Sequence, residues 1–376
     1  MERAALVLRG GAERKRMTSL FLHGPLARLE GLSLVLGHPV AVGRARLAGF
    51  EAHAALPGHW PALAAAEAAQ TEGLELRDPS EADLARIDWL AACFGQARLP
   101  LPDGREALLP LHPAAAPAVP QPPGHEEVVT EALRDLMADY QRLDLPLTVV
   151  RWDMMLRRAA SRLRALGQEG AKIRRDARPG DVAVRDRRVV YANYFSVEEY
   201  DLRHSRFDGG ESPEINRAAF ISSDAATVLP YDPKRDRVLV VEQIRSGPLA
   251  RGAENPWLLE PIAGRVDAFE TPEDCARREA EEEAGLTLDR LIEAARYYPS
   301  PGAKAEFLYS YIALCDLPDD LPRLGGLASE AEDIRAHLLP FDALMARITT
   351  PEFASGPLIL SALWLAGQRD RLRAAG

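Results

Sequence analysis

Residues 264–286 read GRVDAFETPEDCARREAEEEAGL, and Glu279, Glu282 and Glu283 crowd one end of that stretch. Thr271 and Pro272 are good N-cap and first-turn residues, which predicts a helix starting there. Glu273 and Asp274 suit its positive N-terminus and need no further reason. Glu279 and Glu283 are four residues apart and so share one face, with Glu282 beside them. Like charges at that spacing cost roughly a few tenths of a kcal/mol, and they lie toward the negative end of the helix dipole. A hard divalent cation reverses the balance, because Mg²⁺ takes carboxylate oxygens and keeps waters and phosphates in its other positions. The bland alternative is a solvated face neutralised by Arg277 and Arg278.

The rest of the chain must position these acids. At 376 residues it is long for one core, so two domains are expected. A net charge of -10 argues against a general binder of nucleic acid or anionic membrane. Cys93, Cys275 and Cys315 are too few and too scattered for a disulfide framework or a zinc knuckle, which points to a reducing compartment. No apolar run reaches the length of a membrane span, and residues 1–17 lack the hydrophobic core of a secretion signal. A cytoplasmic protein with a disordered lead-in over 1–17 is expected.

The clearest boundary is LPLHPAAAPAVPQPPGH at 109–125, whose prolines remove donors and favour extended backbone. Before it, SLFLHGPL reads as a strand entering a glycine turn, ARLEGLSLVLG as a helix ended by Gly37, and SEADLARIDWLAA as a helix capped by Ser80. After it, two amphipathic patterns predict a helical spacer over 126–180. From about 185 strands dominate, ending in a helix after Ser355. Mixed strands and helices suggest a layered α/β core.

The 264–286 stretch resembles the Nudix box at every defined position: Gly264, Glu270, Arg278, Glu279, Glu282, Glu283, Gly285 and Leu286. The resemblance implies an α/β/α Nudix sandwich over 181–376 and hydrolysis of nucleoside diphosphates linked to another moiety, with Mg²⁺ or Mn²⁺. It also implies that Glu279 and Glu283 bind metal, that Glu282 assists catalysis, that Glu270 and Arg278 form a bracing ion pair, and that Gly264 lets the chain turn tightly. LPYDPKRDRVLVVEQIR, PWLLEPIAGRV, SPGAKAE and SEAEDIRAH further resemble the ADP-ribose pyrophosphatase branch. On matching positions, the Ala263 carbonyl and Glu332 become metal ligands, Glu330 the general base, and Arg245 and Glu306 substrate contacts. Which loop glutamate is the base stays open, and Arg245 has a sheet-edge ion pair as its plainer reading. That branch is typically homodimeric through an exchanged N-terminal strand region. VVYANYFSVEEYDLRH fits that region, with its Tyr and Phe residues either stacking on adenine or sitting in the core.

Residues 18–108 resemble the gamma-glutamylcyclotransferase-like fold, an α+β barrel or sheet. The anion-binding loop appears as His23-Gly24-Pro25-Leu26, where Pro25 removes a donor. The catalytic glutamate is replaced in Ile87-Asp88-Trp89-Leu90-Ala91 by alanine. The expectation is a non-catalytic structural or binding domain, with His23 a surface or turn residue.

Overall fold

The computed structural model describes residues 19–53, 58, 60–111, 121–167, 172–327 and 331–374. The lead-in expected over 1–17 and most of the proline connector lie outside them. The chain forms two compact units, Met1–Trp152 and Asp153–Gly376.

In the N-terminal unit the elements are β1 (Ser19–Leu22), α1 (Leu29–Leu36), β2 (Val42–His53), β3 (Ala62–Arg77), α2 (Glu81–Cys93), β4 (Gln96–Pro100), β5 (Glu106–Pro110), α3 (His125–Ala138) and α4 (Leu145–Val150). The sheet order is β2-β3-β1-β5-β4, with β1 parallel to β5 and antiparallel to β3. Local chemistry explains the helices. Ser80 and Asp83 form a reciprocal capping box on α2, and Gly37 ends α1 in the left-handed region at φ 81°. Gly73 is required for another reason: a Cβ there would lie 2.2 Å from the Leu22 carbonyl oxygen. Apolar side chains from the strands and from α1 and α2, among them Phe21, Leu32, Ile87, Leu90 and Leu108, are buried.

The C-terminal unit contains α5 (Trp152–Leu166), β6 (Val182–Ala192), β7 (Ser196–His204), β8 (Ile215–Ile221), β9 (Ala225–Asp232), β10 (Arg237–Ile244), α6 (Ser246–Arg251), β11 (Trp257–Glu260), β12 (Ile262–Arg265), α7 (Pro272–Ala284), β13 (Arg290–Tyr297), β14 (Lys304–Ala305), β15 (Leu308–Leu314), β16 (Leu324–Gly325), β17 (Ile334–Pro340), α8 (Phe341–Met345) and α9 (Gly356–Ala374). The helices expected as a spacer over 126–180 are thus shared out: α3 packs on α1, while α5 belongs almost wholly to the second unit. The VVYANYFSVEEYDLRH stretch spans a hairpin, β6–β7, in a four-stranded sheet ordered β14-β8-β7-β6.

An eight-stranded mixed sheet runs β13-β15-β9-β10-β17-β16, with β11 on β10 and β12 on β9. Its central strands are apolar on both faces because both are covered. On one face Ala226, Val228, Leu239 and Val241 meet Cys275, Ala276, Ala280 and Ala284 of α7. These small residues let the α7 backbone approach the sheet closely. On the other face Leu229, Tyr231, Val238 and Val240 meet Phe341, Leu344, Leu358, Ala362 and Leu365 of α8 and α9. This is the expected three-layer sandwich. Among the described residues no helix is long and apolar enough to cross a membrane.

Candidate active site

The acidic helix starts as its sequence dictates: Thr271 Oγ1 accepts from the Asp274 N–H at 3.1 Å, and Pro272 opens the first turn. Gly285 ends it at φ 62°, and the Leu286 N–H reaches the Ala280 carbonyl at 3.0 Å.

Arg278 is the local organiser. Its Nε and Nη2 grip the two Glu270 oxygens at 2.9 and 3.0 Å, while Nη1 touches Glu279 at 2.7 Å and Glu282 at 3.0 Å. The brace between Glu270 and Arg278 is therefore present. Glu270 also accepts from the Asp267 N–H at 3.1 Å, which holds the loop before the helix.

Gly264 departs from the expectation of a tight turn. It lies inside β12, opposite Ala226, and a Cβ there would sit 1.7 Å from Glu279 Oε1. Glycine is needed so that the carboxylate of Glu279 can cross the strand. A second such position was not anticipated: a Cβ on Gly325 would lie 1.9 Å from the Glu283 carbonyl oxygen. The adjacent Gly325-Gly326 pair was the available signal.

Burial dominates the electrostatics. It pushes the Glu279 carboxyl up to about 7 despite Arg278. Glu283 is 2% exposed, and burial raises its carboxyl well above the ordinary range, followed by repulsion from Glu279 and Glu332. Arg245 and the Ala263 backbone N–H act in the opposite sense. Glu283 Oε2 is buried and has no hydrogen-bond partner. An isolated buried carboxylate oxygen is costly unless something cationic meets it.

As they stand, Glu279 and Glu282 are turned onto Arg278, and among the described residues no three acidic, His or Cys side chains converge on one point. The donor set nevertheless fits a hard cation. Glu332 is near enough to act on both Glu279 and Glu283, Glu279 acts on Glu283, and the Ala263 backbone adjoins Glu283. All are oxygen donors, the kind Mg²⁺ or Mn²⁺ takes.

The other expected residues divide. Arg245 Nε lies 2.5 Å from Glu260, so the ion-pair reading has its partner, while the guanidinium also acts on Glu283. Glu332 accepts from the Leu327 N–H at 3.1 Å. Glu330 lies outside the described residues. Glu306 is directed toward Lys304 at 2.8 Å and Ser222 at 3.3 Å, and lines a cavity of about 330 Å³ with Tyr298, Phe307 and Tyr309. Arg265 was not anticipated. Its guanidinium lies 4.7 Å over the Phe195 ring, donates to Ser222 and stands 3.9 Å from Glu306. Phe195 also packs on Tyr194 and Phe220, giving an aromatic cluster against Arg265.

In the N-terminal unit, His23 sits at the glycine turn but is not on the surface. It is 2% exposed, its Nε2 lies 3.3 Å from the Leu108 carbonyl, and burial lowers its pKa to about 4. Leu108 comes from β5, beside β1, and this long-range pairing covers the ring. Ala91 is buried in α2.

Comparison with known proteins gives matches over part of the chain. Residues 222–358 match the NUDIX domain family. An ADP-ribose pyrophosphatase of Escherichia coli is 36% identical over 185 residues, covering 49% of this chain and 88% of that protein. One from Haemophilus influenzae is 33% identical over 187 residues, covering 49% and 86%. A GDP-mannose pyrophosphatase of Escherichia coli is 31% identical over 173 residues, covering 46% and 88%.

Proposed function

The chain belongs to the Nudix family of hydrolases that act on pyrophosphate bonds, and on that premise we propose that its C-terminal unit hydrolyses ADP-ribose to AMP and ribose 5-phosphate. The observation that carries this reading is the buried, partnerless Oε2 of Glu283 beside the partly buried carboxyl of Glu279. Glu279, Glu283, Glu332 and the Ala263 carbonyl would hold Mg²⁺ or Mn²⁺, which when bound neutralises charge on the diphosphate. Gly264 keeps the space that Glu279 needs, and Arg278 holds Glu279 and Glu282 in place. Glu330 or Glu332 takes the proton of the attacking water, with Glu282 assisting. Arg245 and Glu306 contact the substrate, and the Phe195 cluster offers a face for its base.

The relative that acts on GDP-mannose supports a second reading, in which another nucleoside diphosphate sugar is the substrate. The VVYANYFSVEEYDLRH stretch at 189–204, by resemblance, pairs with a second copy of the chain. The N-terminal unit serves as a non-catalytic, gamma-glutamylcyclotransferase-like module. Ala91 supplies no carboxylate there, and His23 is held neutral near pH 7.

Product analysis with ADP-ribose, NADH, ADP-glucose and GDP-mannose in Mg²⁺ tests the reading. Fastest release of AMP and ribose 5-phosphate from ADP-ribose is expected. Preference for GDP-mannose would move the substrate and keep the mechanism. No turnover of any compound, with Mn²⁺ as well, would overturn the assignment.

A further inference from the structure

Helix α5 precedes the residues 222–358 that match the family, yet it touches the loop leading into α7 from two directions. One contact runs through Asp224, which is 3% exposed. Ser161 Oγ donates to one Asp224 oxygen at 2.5 Å and Arg164 Nε to the other at 2.7 Å. The Asp224 carbonyl in turn accepts from the Val266 N–H at 3.1 Å. The second contact is direct: Arg157 Nε lies 2.7 Å from Asp267, a close ion pair whose N–H is not aligned as a hydrogen bond. The Asp267 N–H then donates to Glu270, and Glu270 holds Arg278, which holds Glu279 and Glu282. Residues 157, 161 and 164 recur at helical spacing, so one side of α5 carries all three contacts. The neighbouring Arg158 reaches the buried Glu198 of β7 at 2.6 Å and fastens the same helix to the four-stranded sheet.

We propose that α5 is a positioning helix of the hydrolytic site, fixing Val266 and Asp267 so that the Glu270–Arg278 brace presents Glu279 and Glu282 correctly. This rests on the hydrolysis proposed above. Arg157 and Arg164 are positioning residues, because neither touches the box carboxylates itself. The physical basis is that two adjacent backbone N–H groups of one loop are each tied, at one remove, to the same helix. The catalytic unit accordingly begins at α5 and not at residue 181.

The test uses the full-length protein. Arg157→Asp and Arg164→Ala should each lower kcat on the order of tenfold with KM unchanged, as expected for a small displacement of reacting groups. In the Arg157→Asp background, Asp267→Arg restores the pair with reversed sign and should recover most of the loss, since it keeps the backbone N–H to Glu270. Hydrogen exchange at the Val266 and Asp267 amides should quicken in Arg164→Ala and Arg157→Asp respectively, whether or not a substrate has been found. Should Arg157→Asp not fold, Arg157→Gln replaces it. Wild-type kcat with unchanged amide exchange would overturn the proposal, as would a charge swap that rescues nothing. A wild-type protein that hydrolyses no diphosphate would overturn the functional reading alone, because amide exchange still decides the role of α5.

Discussion

Asp139 in the N-terminal unit and Glu283 in the C-terminal unit are buried to the same degree, at 3% and 2% exposure, but their surroundings differ in kind. Asp139 faces the guanidinium of Arg151, and Asp83 of the same unit is held by its capping box with Ser80. Glu283 has one oxygen with no partner and is repelled by two other acids. Where the N-terminal unit leaves described side-chain atoms buried without a partner, as at His23 Nδ1, Trp60 Nε1 and Thr130 Oγ1, the atoms belong to neutral groups. The N-terminal unit gives its buried Asp139 a cationic partner in Arg151, although burial still raises that carboxyl. A site that works on anions leaves charge unresolved until a cation arrives, and that uncompensated burial marks it.

The contrast can be broken most sharply at Glu283. Glu283→Gln should reduce turnover by about a thousandfold or more while the fold remains, since the loss removes a group required only for reaction. Circular dichroism with steady-state kinetics checks both halves; near-wild-type turnover would return Glu283 to a structural role. Next in size is Gly264→Ala. Its methyl would occupy the place of the Glu279 carboxylate, and a fall in turnover on the order of a hundredfold is expected from the displaced group.

The two units should also respond oppositely to pH in metal-free protein. The folded carboxyl of Glu279 is pushed up to about 7, so the stability it contributes is present below its unfolded value and is lost as pH rises toward 7. His23 is depressed to about 4, so its contribution is present above its unfolded value near 6.5 and is lost as pH falls from there toward 4. Thermal melts of Glu279→Gln and His23→Gln between pH 4 and pH 8 should flatten different limbs of the profile. Identical profiles would remove the distinction. The smallest effect belongs to Asp83→Ala, which should cost about 1 kcal/mol through the lost cap and leave turnover unchanged. A matching fall in turnover would show that the N-terminal unit shapes the hydrolytic site.

What the sequence disclosed follows the range of the interactions. The box was legible because Thr271, Arg278, Glu279, Glu283 and Gly285 interact within a single helix and its flanks, where spacing in sequence is spacing in space. The helix caps at Ser80 and Gly37 were legible for the same reason. The role of Gly264 was not, because the neighbour that demands glycine is fifteen residues away on another element. Arg265 on Phe195, Gly325 on Glu283 and α5 on Asp224 all join distant segments, and only the Gly325-Gly326 pair leaves any local mark. His23 lies at the expected turn, but its burial was not legible because the strand that covers it, β5, lies 85 residues further along.

The measurement that bears most directly on the central claim is calorimetric titration of Mn²⁺ into the wild-type protein and Glu283→Gln, without substrate, at pH 6 and pH 8. The wild type should bind, and bind more tightly at pH 8, because burial pushes the Glu279 carboxyl up to about 7 and a proton there competes with the cation at the lower pH. The Glu283→Gln protein should lose at least about tenfold in affinity, as expected when a carboxylate ligand becomes a neutral amide. Equal binding by the two proteins, or none by the wild type, would contradict a cation site on α7.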